Sequence, residues 1–182
     1  FKVVALGDSI TEGSQITRGN WFDMGGNEDK YKYSSTMARY LELHFGYATN
    51  ALAVKNFGHG GYTAQQAITE NLVTNEVLTV AGPNDLVILE FGANDINGGA
   101  TVATWKARMK TLIGQVKAGG VSQILIVGPP MTETAFPLMA SITAALKELV
   151  VEENVAIVDV LKFHAFRGYA YAWAQFANPT HS

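Results

Sequence analysis

Five short apolar runs recur along the chain, separated by longer stretches in which apolar residues return every three or four positions. The runs cover residues 2–6, 53–57, 85–91, 123–127 and 155–159. They are rich in Val, Ile and Leu, and a glycine follows each of the first four. Largely continuous apolar strands of this kind are typical of parallel sheets that are covered on both faces. We therefore predict five parallel strands in one sheet that is covered on both faces.

The stretches between the runs predict helices. Ser34 or Ser35 is placed to cap a helix that Gly46 ends, and Thr63 is placed to start a helix that continues through Val73. Further helices are expected through 105–116, over 138–151 and over 161–176, and residues 12–33, rich in Gly, Asn and Asp, predict a long loop. This alternation predicts an α/β fold, a three-layer α/β/α sandwich around a five-stranded, doubly wound parallel sheet of the flavodoxin-like type.

Composition narrows the range of partners. The 182 residues carry a net charge of −3 and include no cysteine. The acidic balance argues against a nucleic-acid surface, and the lack of cysteine excludes a disulfide framework, a thiolate nucleophile and a Cys-based zinc site. No apolar run reaches the roughly 18 residues of a membrane helix, so we expect neither nucleic acid nor membrane as a partner. Composition does not specify the oligomeric state or the compartment, although a secreted or extracellular location is slightly favoured.

The first loop after a strand carries a candidate nucleophile. Residues 7–13 read GDSITEG, which places Ser9 just beyond the end of the first predicted strand. Ligands of doubly wound sheets bind at the carboxyl ends of the strands, so Ser9 is placed where an exposed nucleophile would be. Asp and Ser are equally common in turns and helix caps. From this loop alone, a purely structural role for Ser9 stays open.

The second and third loops carry groups that suit a developing negative charge. Residues 56–63 read NFGHGGYT, and residues 92–95 read GAND. A glycine N–H and the carboxamide of Asn94 are both able to donate a hydrogen bond to an oxyanion. Taken alone, each loop also fits a turn that leads into a helix.

A serine nucleophile needs a neighbouring base, and histidine is the usual one. The chain has four histidines. His44 and His164 lie in predicted helices and are expected to be surface or packing residues. His59 lies in the second loop, close to the presumed site. His181 follows the last predicted helix within residues 178–181, which read NPTH.

Together the four blocks resemble those of the SGNH (GDSL-type) hydrolases, in the family's order from Gly7 to His181. The resemblance implies the SGNH hydrolase fold, with Ser9 as the nucleophile and His181 as the base. It also implies an oxyanion hole made by the N–H groups of Ser9 and Gly61 and the side chain of Asn94. The reaction it implies needs no metal and no cofactor.

The last block departs from the family pattern. The family usually carries Asp three residues before the histidine, and this chain carries Asn178. An Asn oxygen can still accept a hydrogen bond from the imidazole ring, but the negative charge is lost. Three interpretations stay open: a Ser–His pair oriented by Asn178, a substitute carboxylate such as Asp159, or an inactive domain.

The chain also stops one residue after His181, where the family usually continues into a further helix. We therefore expect residues 1–182 to form a single SGNH hydrolase-like domain, either truncated at its C-terminus or excised from a longer chain.

The form of the first block resembles that of family members acting on acetylated sugars and other short esters. We therefore expect a serine esterase for short-chain carboxylic esters, acting on a small-molecule or carbohydrate ester such as an O-acetylated sugar. Asp8 and His59 are expected to contact the substrate. Aromatic residues in the long loop either offer surfaces for sugar rings or belong to the core: Trp21, Phe22 and Tyr31.

Three other functions were weighed against this one. A thioesterase or lysophospholipase-type hydrolase is an alternative within the enzyme class. A carbohydrate-binding module that keeps the fold but has weakened catalysis is an alternative that Asn178 favours. A flavodoxin-like nucleotide binder would rest on fold alone, and the chain lacks the glycine-rich loop with lysine that cradles phosphates.

Overall fold

The computed structural model describes residues 1–13, 33–46, 48, 52–130, 132 and 134–162. Five strands form one sheet in the order β2-β1-β3-β4-β5, and every neighbouring pair is parallel. The strands are β1 (Lys2–Gly7), β2 (Ala53–Gly58), β3 (Leu86–Glu90), β4 (Gln123–Val127) and β5 (Ala156–Val158). The predicted five-stranded parallel sheet is confirmed.

Helices cover both faces of this sheet. They are α1 (Ser9–Glu12), α2 (Tyr33–Phe45), α3 (Ala64–Thr69), α4 (Leu78–Val80), α5 (Ala93–Asn97), α6 (Val102–Ala118) and α7 (Met139–Glu153). On one face Val4 and Leu6 join the core formed with α3, α6 and α7. On the other face Val3 and Ala5 pack near Ala38 of α2. Successive side chains of a strand point to opposite faces of the sheet. Strand β1 therefore packs against helices on both sides, as the predicted three-layer arrangement requires.

Helix α6 shows how the apolar periodicity becomes a packed face. Thr101 caps it by accepting a hydrogen bond from the N–H of Thr104. Five of its residues at helical spacing are buried: Trp105, Met109, Leu112, Ile113 and Val116. The Trp105 indole N–H also donates to the carbonyl of Phe91 at 2.9 Å, which fixes the chain just beyond β3. This helix therefore anchors the strand end from which the third loop leaves.

The prediction of one helix from Thr63 through Val73 is wrong, because helix α3 ends at Thr69. Thr63 does cap α3, in a capping box with Gln66. The helix then ends, and Asn71 takes a left-handed conformation with φ 55°, which Asn tolerates better than most residues. A π-helical turn over Val73–Val77 follows and buries Val73 and Val77. The apolar spacing survives because both pieces pack on the same core.

Other predictions differ at their edges or lie outside the described residues. Glu12 belongs to α1 and Tyr33 to α2, so the predicted loop over 12–33 is shorter at both ends, and residues 14–32 lie outside the described part. The helix predicted over 161–176 lies outside it from residue 163 onward. Within the described residues, no helix has the length and apolar character that crossing a bilayer requires.

Candidate active site

Ser9 is the first residue of α1, a single helical turn that starts directly after β1. Asp8 caps this turn: its Oδ1 accepts a hydrogen bond from the N–H of Ile10 at 2.9 Å. Gly13 closes the turn by donating its N–H to the carbonyl of Ser9 at 3.0 Å. Ser9 itself is half-buried. The cap holds the backbone of Ser9 at the carboxyl end of β1, where the sequence predicted a nucleophile.

The turn that carries Ser9 packs tightly on the end of β2. A Cβ atom placed on Gly58 would lie 1.9 Å from the backbone nitrogen of Glu12, so only glycine permits this approach. The amide of Asn56 donates to the carbonyl of Thr11 at 2.7 Å, and the N–H of His59 donates to the carbonyl of Gly7 at 2.9 Å. The first and second loops are therefore joined by side-chain and backbone bonds.

The second loop closes in a turn from His59 to Tyr62. The N–H of Tyr62 donates to the carbonyl of His59 at 3.1 Å, and Gly61 has φ 79°, a conformation that glycine adopts without strain. The N–H of Gly58 is already engaged, because it donates to Asn56 Oδ1 at 3.0 Å. Gly61 is exposed on this turn. Its predicted place in the oxyanion hole stays a prediction.

Asn94, in the first turn of α5, brings the third loop to the same place. Its Nδ2 donates to the carbonyl of Tyr62 at 2.9 Å and lies 3.4 Å from Oδ2 of Asp8. The structure therefore brings together the segments that carry Ser9, Gly61 and Asn94. Asp8 is fully buried, caps α1 and neighbours Asn94, and its expected contact with the substrate stays a prediction.

Asp95 ties this cluster to the helices behind it. Its side chain is buried and accepts hydrogen bonds from the N–H of Ala64 at 2.9 Å and from Nη1 of Arg108 at 2.8 Å. It thereby joins α5 to the start of α3 and to α6. Asp95 lies in the third block of the sequence, and no role was predicted for it. The sequence pointed to Asp95 only through its neighbour Asn94, because its two partners, Ala64 and Arg108, come from other elements.

A second acidic group, Glu90, lies behind α1. It ends β3, is 1% exposed, and accepts a hydrogen bond from the hydroxyl of Thr11 at 3.0 Å. Burial and the nearby charge of Asp8 raise the pKa of Glu90 well above its ordinary value of 4.5. Burial likewise raises the pKa of Asp8. In the sequence, the signal for this group is an acidic residue near the end of the apolar run 85–91.

His59 lies on the rim of the second loop and is held there. Its Nε2 lies 2.8 Å from Oε2 of Glu76, and its ring lies 4.9 Å from the ring of Tyr62. The hydroxyl of Tyr62 donates to Glu70 at 3.0 Å. The pair forms a small aromatic surface beside the turn that holds Gly61. Contact of His59 with a substrate stays a prediction.

A model of the GDSL-like lipase/acylhydrolase family matches residues 5–181. The chain belongs to this family. The match runs through all four blocks that the sequence analysis identified, so the predicted family membership is confirmed. As a GDSL-like hydrolase, the chain is an ester hydrolase in the broad sense of the family, with its substrate still to be assigned.

Solved structures with the same fold include other members of this group of hydrolases. A lipase/acylhydrolase from Enterococcus faecalis is 21% identical, with a TM-score of 0.63 over 91% of this chain and 78% of that one. An acetyl xylan esterase from Geobacillus stearothermophilus is 18% identical, with a TM-score of 0.64 over 88% and 77%. A G-D-S-L family protein from Veillonella parvula is 20% identical, with a TM-score of 0.61 over 97% of both chains. The comparison with curated proteins finds no match.

Several predicted residues of this GDSL-like hydrolase lie outside the described part of the chain. They are His181 and Asn178, His164 of the predicted last helix, and the aromatic residues of the predicted long loop, Trp21, Phe22 and Tyr31. Their roles stay predictions. In the described ranges, no group of three or more His, Asp or Glu side chains is arranged to hold a metal ion.

Asp159, weighed as a substitute carboxylate, is already engaged. Its Oδ2 accepts from the hydroxyl of Thr143 at 2.6 Å, and its Oδ1 accepts from the N–H of Lys162 at 2.9 Å. This carboxylate caps the segment that follows β5. His44, expected to be a surface or packing residue, is exposed and stacks 5.9 Å from Tyr40.

Proposed function

We propose that this GDSL-like hydrolase is a serine esterase that removes short acyl groups, O-acetyl groups on carbohydrates above all, through an acyl-enzyme on Ser9. The observation that carries the proposal is the position of the Asn94 amide. It is held by the carbonyl of Tyr62 and lies beside Asp8, which caps the helical turn of Ser9. A nucleophile and an amide donor on neighbouring strand ends are the arrangement that acyl transfer needs.

The proposed reaction has two halves. Ser9 Oγ attacks the ester carbonyl while His181 takes its proton, and a tetrahedral oxyanion forms. The oxyanion accepts hydrogen bonds from the N–H groups of Ser9 and Gly61 and from Nδ2 of Asn94. The intermediate collapses, the C–O bond to the alcohol breaks, and His181 returns the proton to the leaving oxygen. Water then attacks the acyl-enzyme by the same route and releases the carboxylic acid and free Ser9.

Two observations support a small acyl group on a sugar. The acetyl xylan esterase from Geobacillus shares the fold, although at 18% identity it shows the fold alone. The aromatic pair of His59 and Tyr62 on the rim is of a kind that packs against sugar rings. A thioesterase or lysophospholipase-type activity remains the alternative within the family.

The second candidate function is a carbohydrate-binding module with weakened catalysis. Asn178 is the observation that favours it, because the family's usual Asp supplies a negative charge to the imidazolium ion that Asn does not. The retained Ser9, Asn94 and His181 favour the esterase.

Turnover and covalent labelling test the proposal together. We expect hydrolysis of p-nitrophenyl acetate and release of acetate from acetylated xylan, with Ser9→Ala reduced to the rate of buffer. Ser122→Ala is the matched control, since Ser122 is an exposed serine just before β4, at the opposite end of the sheet. A fluorophosphonate should add one phosphonyl group, at Ser9.

The outcomes separate the candidates. Faster turnover of a long-chain ester or of an acyl thioester than of the acetate would favour the thioesterase or lysophospholipase alternative. Silence toward every ester and toward the phosphonate, with retained binding of xylan, would favour the binding module. Full activity in Ser9→Ala would refute Ser9 as the nucleophile.

A further inference from the structure

Glu90 occupies a place where a charged carboxylate is costly. It is 1% exposed, its Oε2 accepts from the hydroxyl of Thr11, and its Oε1 receives no hydrogen bond from a described residue. Among the described residues, no Lys, Arg or His side chain pairs with it. A buried carboxylate without a cation is strongly destabilised, whereas a neutral carboxylic acid is tolerated and can donate a hydrogen bond. The surroundings of Glu90 therefore favour the neutral acid.

The group facing Glu90 is the cap of the nucleophile's helix. Glu90 pairs in register with Gly7, and its carbonyl accepts from the N–H of Asp8 at 3.3 Å. After burial, the charge of Asp8 is the next cause that raises the pKa of Glu90, and the hydrogen bond between the two carboxyls raises it further. The same bond lowers the pKa of Asp8 against the larger effect of burial. Asp8 already accepts hydrogen bonds from the N–H of Ile10 and from Nδ2 of Asn94, which favour its charged form, so the proton between the two carboxyls belongs on Glu90.

We propose that Glu90 is a positioning residue of the active site: as a neutral acid it donates a hydrogen bond to Asp8 and so holds Asp8 against the N–H of Ile10 and the amide of Asn94. The inference rests on the proposed esterase function and adds regulation by proton loss to it. Glu90 itself does not touch the substrate. Its effect reaches the reaction through the cap of α1 and through Asn94.

Loss of this proton would set two negative charges side by side in a buried site. The repulsion would push the Asp8 carboxylate away from Glu90 and disturb both of its contacts, so the proposed activity falls on the alkaline side. Because the effect falls on the oxyanion donors, kcat decreases while KM changes little. The predicted base, His181, governs the acid limb, so the two groups act on opposite sides of the pH profile.

The charged groups nearest Glu90 come from two of the elements packed around it. Asp8 faces it from the segment between β1 and α1, and Asp95 of α5 acts on Asp8. Asp95 is itself paired with Arg108 of α6. From β2, Asn56 reaches the carbonyl of Thr11 without bearing a charge. From β4, the register partner of Glu90 is the apolar Val127.

The direction of the stability change follows from the raised pKa. Above its ordinary value of 4.5 the unfolded chain has lost the Glu90 proton, while the folded chain keeps it. This contribution to the free energy of unfolding is complete below that value and is lost as the pH rises through the folded-state pKa. Glu90→Gln removes it, because the amide resembles the neutral acid in shape, can donate to Asp8 and does not ionise.

The test compares wild-type protein, Glu90→Gln and the control Glu148→Gln, which alters an exposed glutamate on α7. We expect an infrared carbonyl band of a protonated carboxyl at neutral pH in wild type and control but not in Glu90→Gln. We expect unfolding of Glu90→Gln to depend less on pH. The kcat of Glu90→Gln at neutral pH should stay within about threefold of wild type, and its decrease at alkaline pH should be absent. The KM of both variants should equal that of wild type.

Each outcome bears on one proposal. Infrared and unfolding measurements do not depend on turnover, so an inactive chain that shows the band refutes the esterase and leaves the neutral acid standing. A missing band, or unfolding of Glu90→Gln that depends on pH as wild type does, overturns the neutral acid. A band together with an unchanged alkaline limb in Glu90→Gln overturns the positioning role.

Thr11→Val supplies a second test should Glu90→Gln fail to fold. The hydroxyl of Thr11 lowers the pKa of Glu90, so its removal should shift the alkaline fall of kcat to higher pH. A shift to lower pH, or no shift, would overturn the proposal.

Discussion

The side-chain amide of Asn94 donates a hydrogen bond to the carbonyl of Tyr62 at 2.9 Å, and this bond links the second and third loops. An Asn amide has two N–H groups. The remaining contact of Nδ2, to Oδ2 of Asp8, is long at 3.4 Å. An oxyanion beside Ser9 would therefore find a donor whose direction is fixed by Tyr62 and whose second bond is weak. This pairing makes Asn94 the most informative of the described residues to change.

Replacing Asn94 by Ala should slow the chemical step. Loss of one oxyanion donor lowers kcat by about 10²–10³-fold in a serine hydrolase, with little effect on KM. The measurement is steady-state hydrolysis of p-nitrophenyl acetate. Asn97→Ala is the matched control, because Asn97 is an exposed residue of the same short helix. Equal rates in the two variants would remove Asn94 from the proposed oxyanion hole.

Replacing Arg108 by Met should destabilise the fold and loosen the site. The change leaves the buried carboxylate of Asp95 without its cation, and breaking such a pair costs about 3 kcal/mol. Urea unfolding measures the loss. Lys110→Met on the same helix is the control. Lys110 pairs with Glu152 on the surface, so this change should lower the free energy of unfolding much less.

A double variant checks the cause of that loss. Combining Arg108→Met with Asp95→Asn removes the unpaired charge and should recover part of the stability. If the double variant loses more unfolding free energy than the sum of the two single losses, the unpaired charge is not the cause of the instability of Arg108→Met.

Replacing Asn178 by Asp should raise turnover. The added carboxylate would stabilise the imidazolium form of His181, a role worth as much as about 10⁴-fold in kcat where the triad is otherwise complete. The rise is measured as kcat on the acetate ester. Asn84→Asp, in an exposed turn, is the control for the added negative charge. A turnover that stays the same or falls would contradict our account of Asn178.

The sequence predicted the sheet closely because most of the strands are largely apolar runs; β2, which carries Lys55 and Asn56, is the most polar of them. The fourth strand was placed at Gln123–Val127, its bounds in the structure. The third was predicted from Asp85, but the strand begins at Leu86 and Asp85 is a buried acceptor for the backbone N–H of Lys2 at 2.6 Å. Apolar patterning shows where a strand is buried, but it does not show which partner reaches the residue at its edge.

The contacts behind the site could not be predicted in the same way. Glu90 meets Thr11 and Asp8 because β1 and β3 are neighbours in register, and Asp95 meets Ala64 because α3 and α5 start at the same edge of the sheet. Both relationships depend on strand order, which the sequence analysis did not assign. The break at Asn71 escaped prediction for a local reason: a left-handed Asn leaves the apolar spacing unchanged.

The position of β1 between β2 and β3 has a consequence for how the molecule folds. The backbone N–H of Lys2, at the start of β1, bonds to a residue 83 positions away beside β3. Such long-range pairings close late, because a large loop must be ordered before they form. The helices can form much earlier. After dilution from urea, far-ultraviolet circular dichroism should therefore recover before ester hydrolysis does, and regained turnover would mark the moment at which β1 has both of its neighbours.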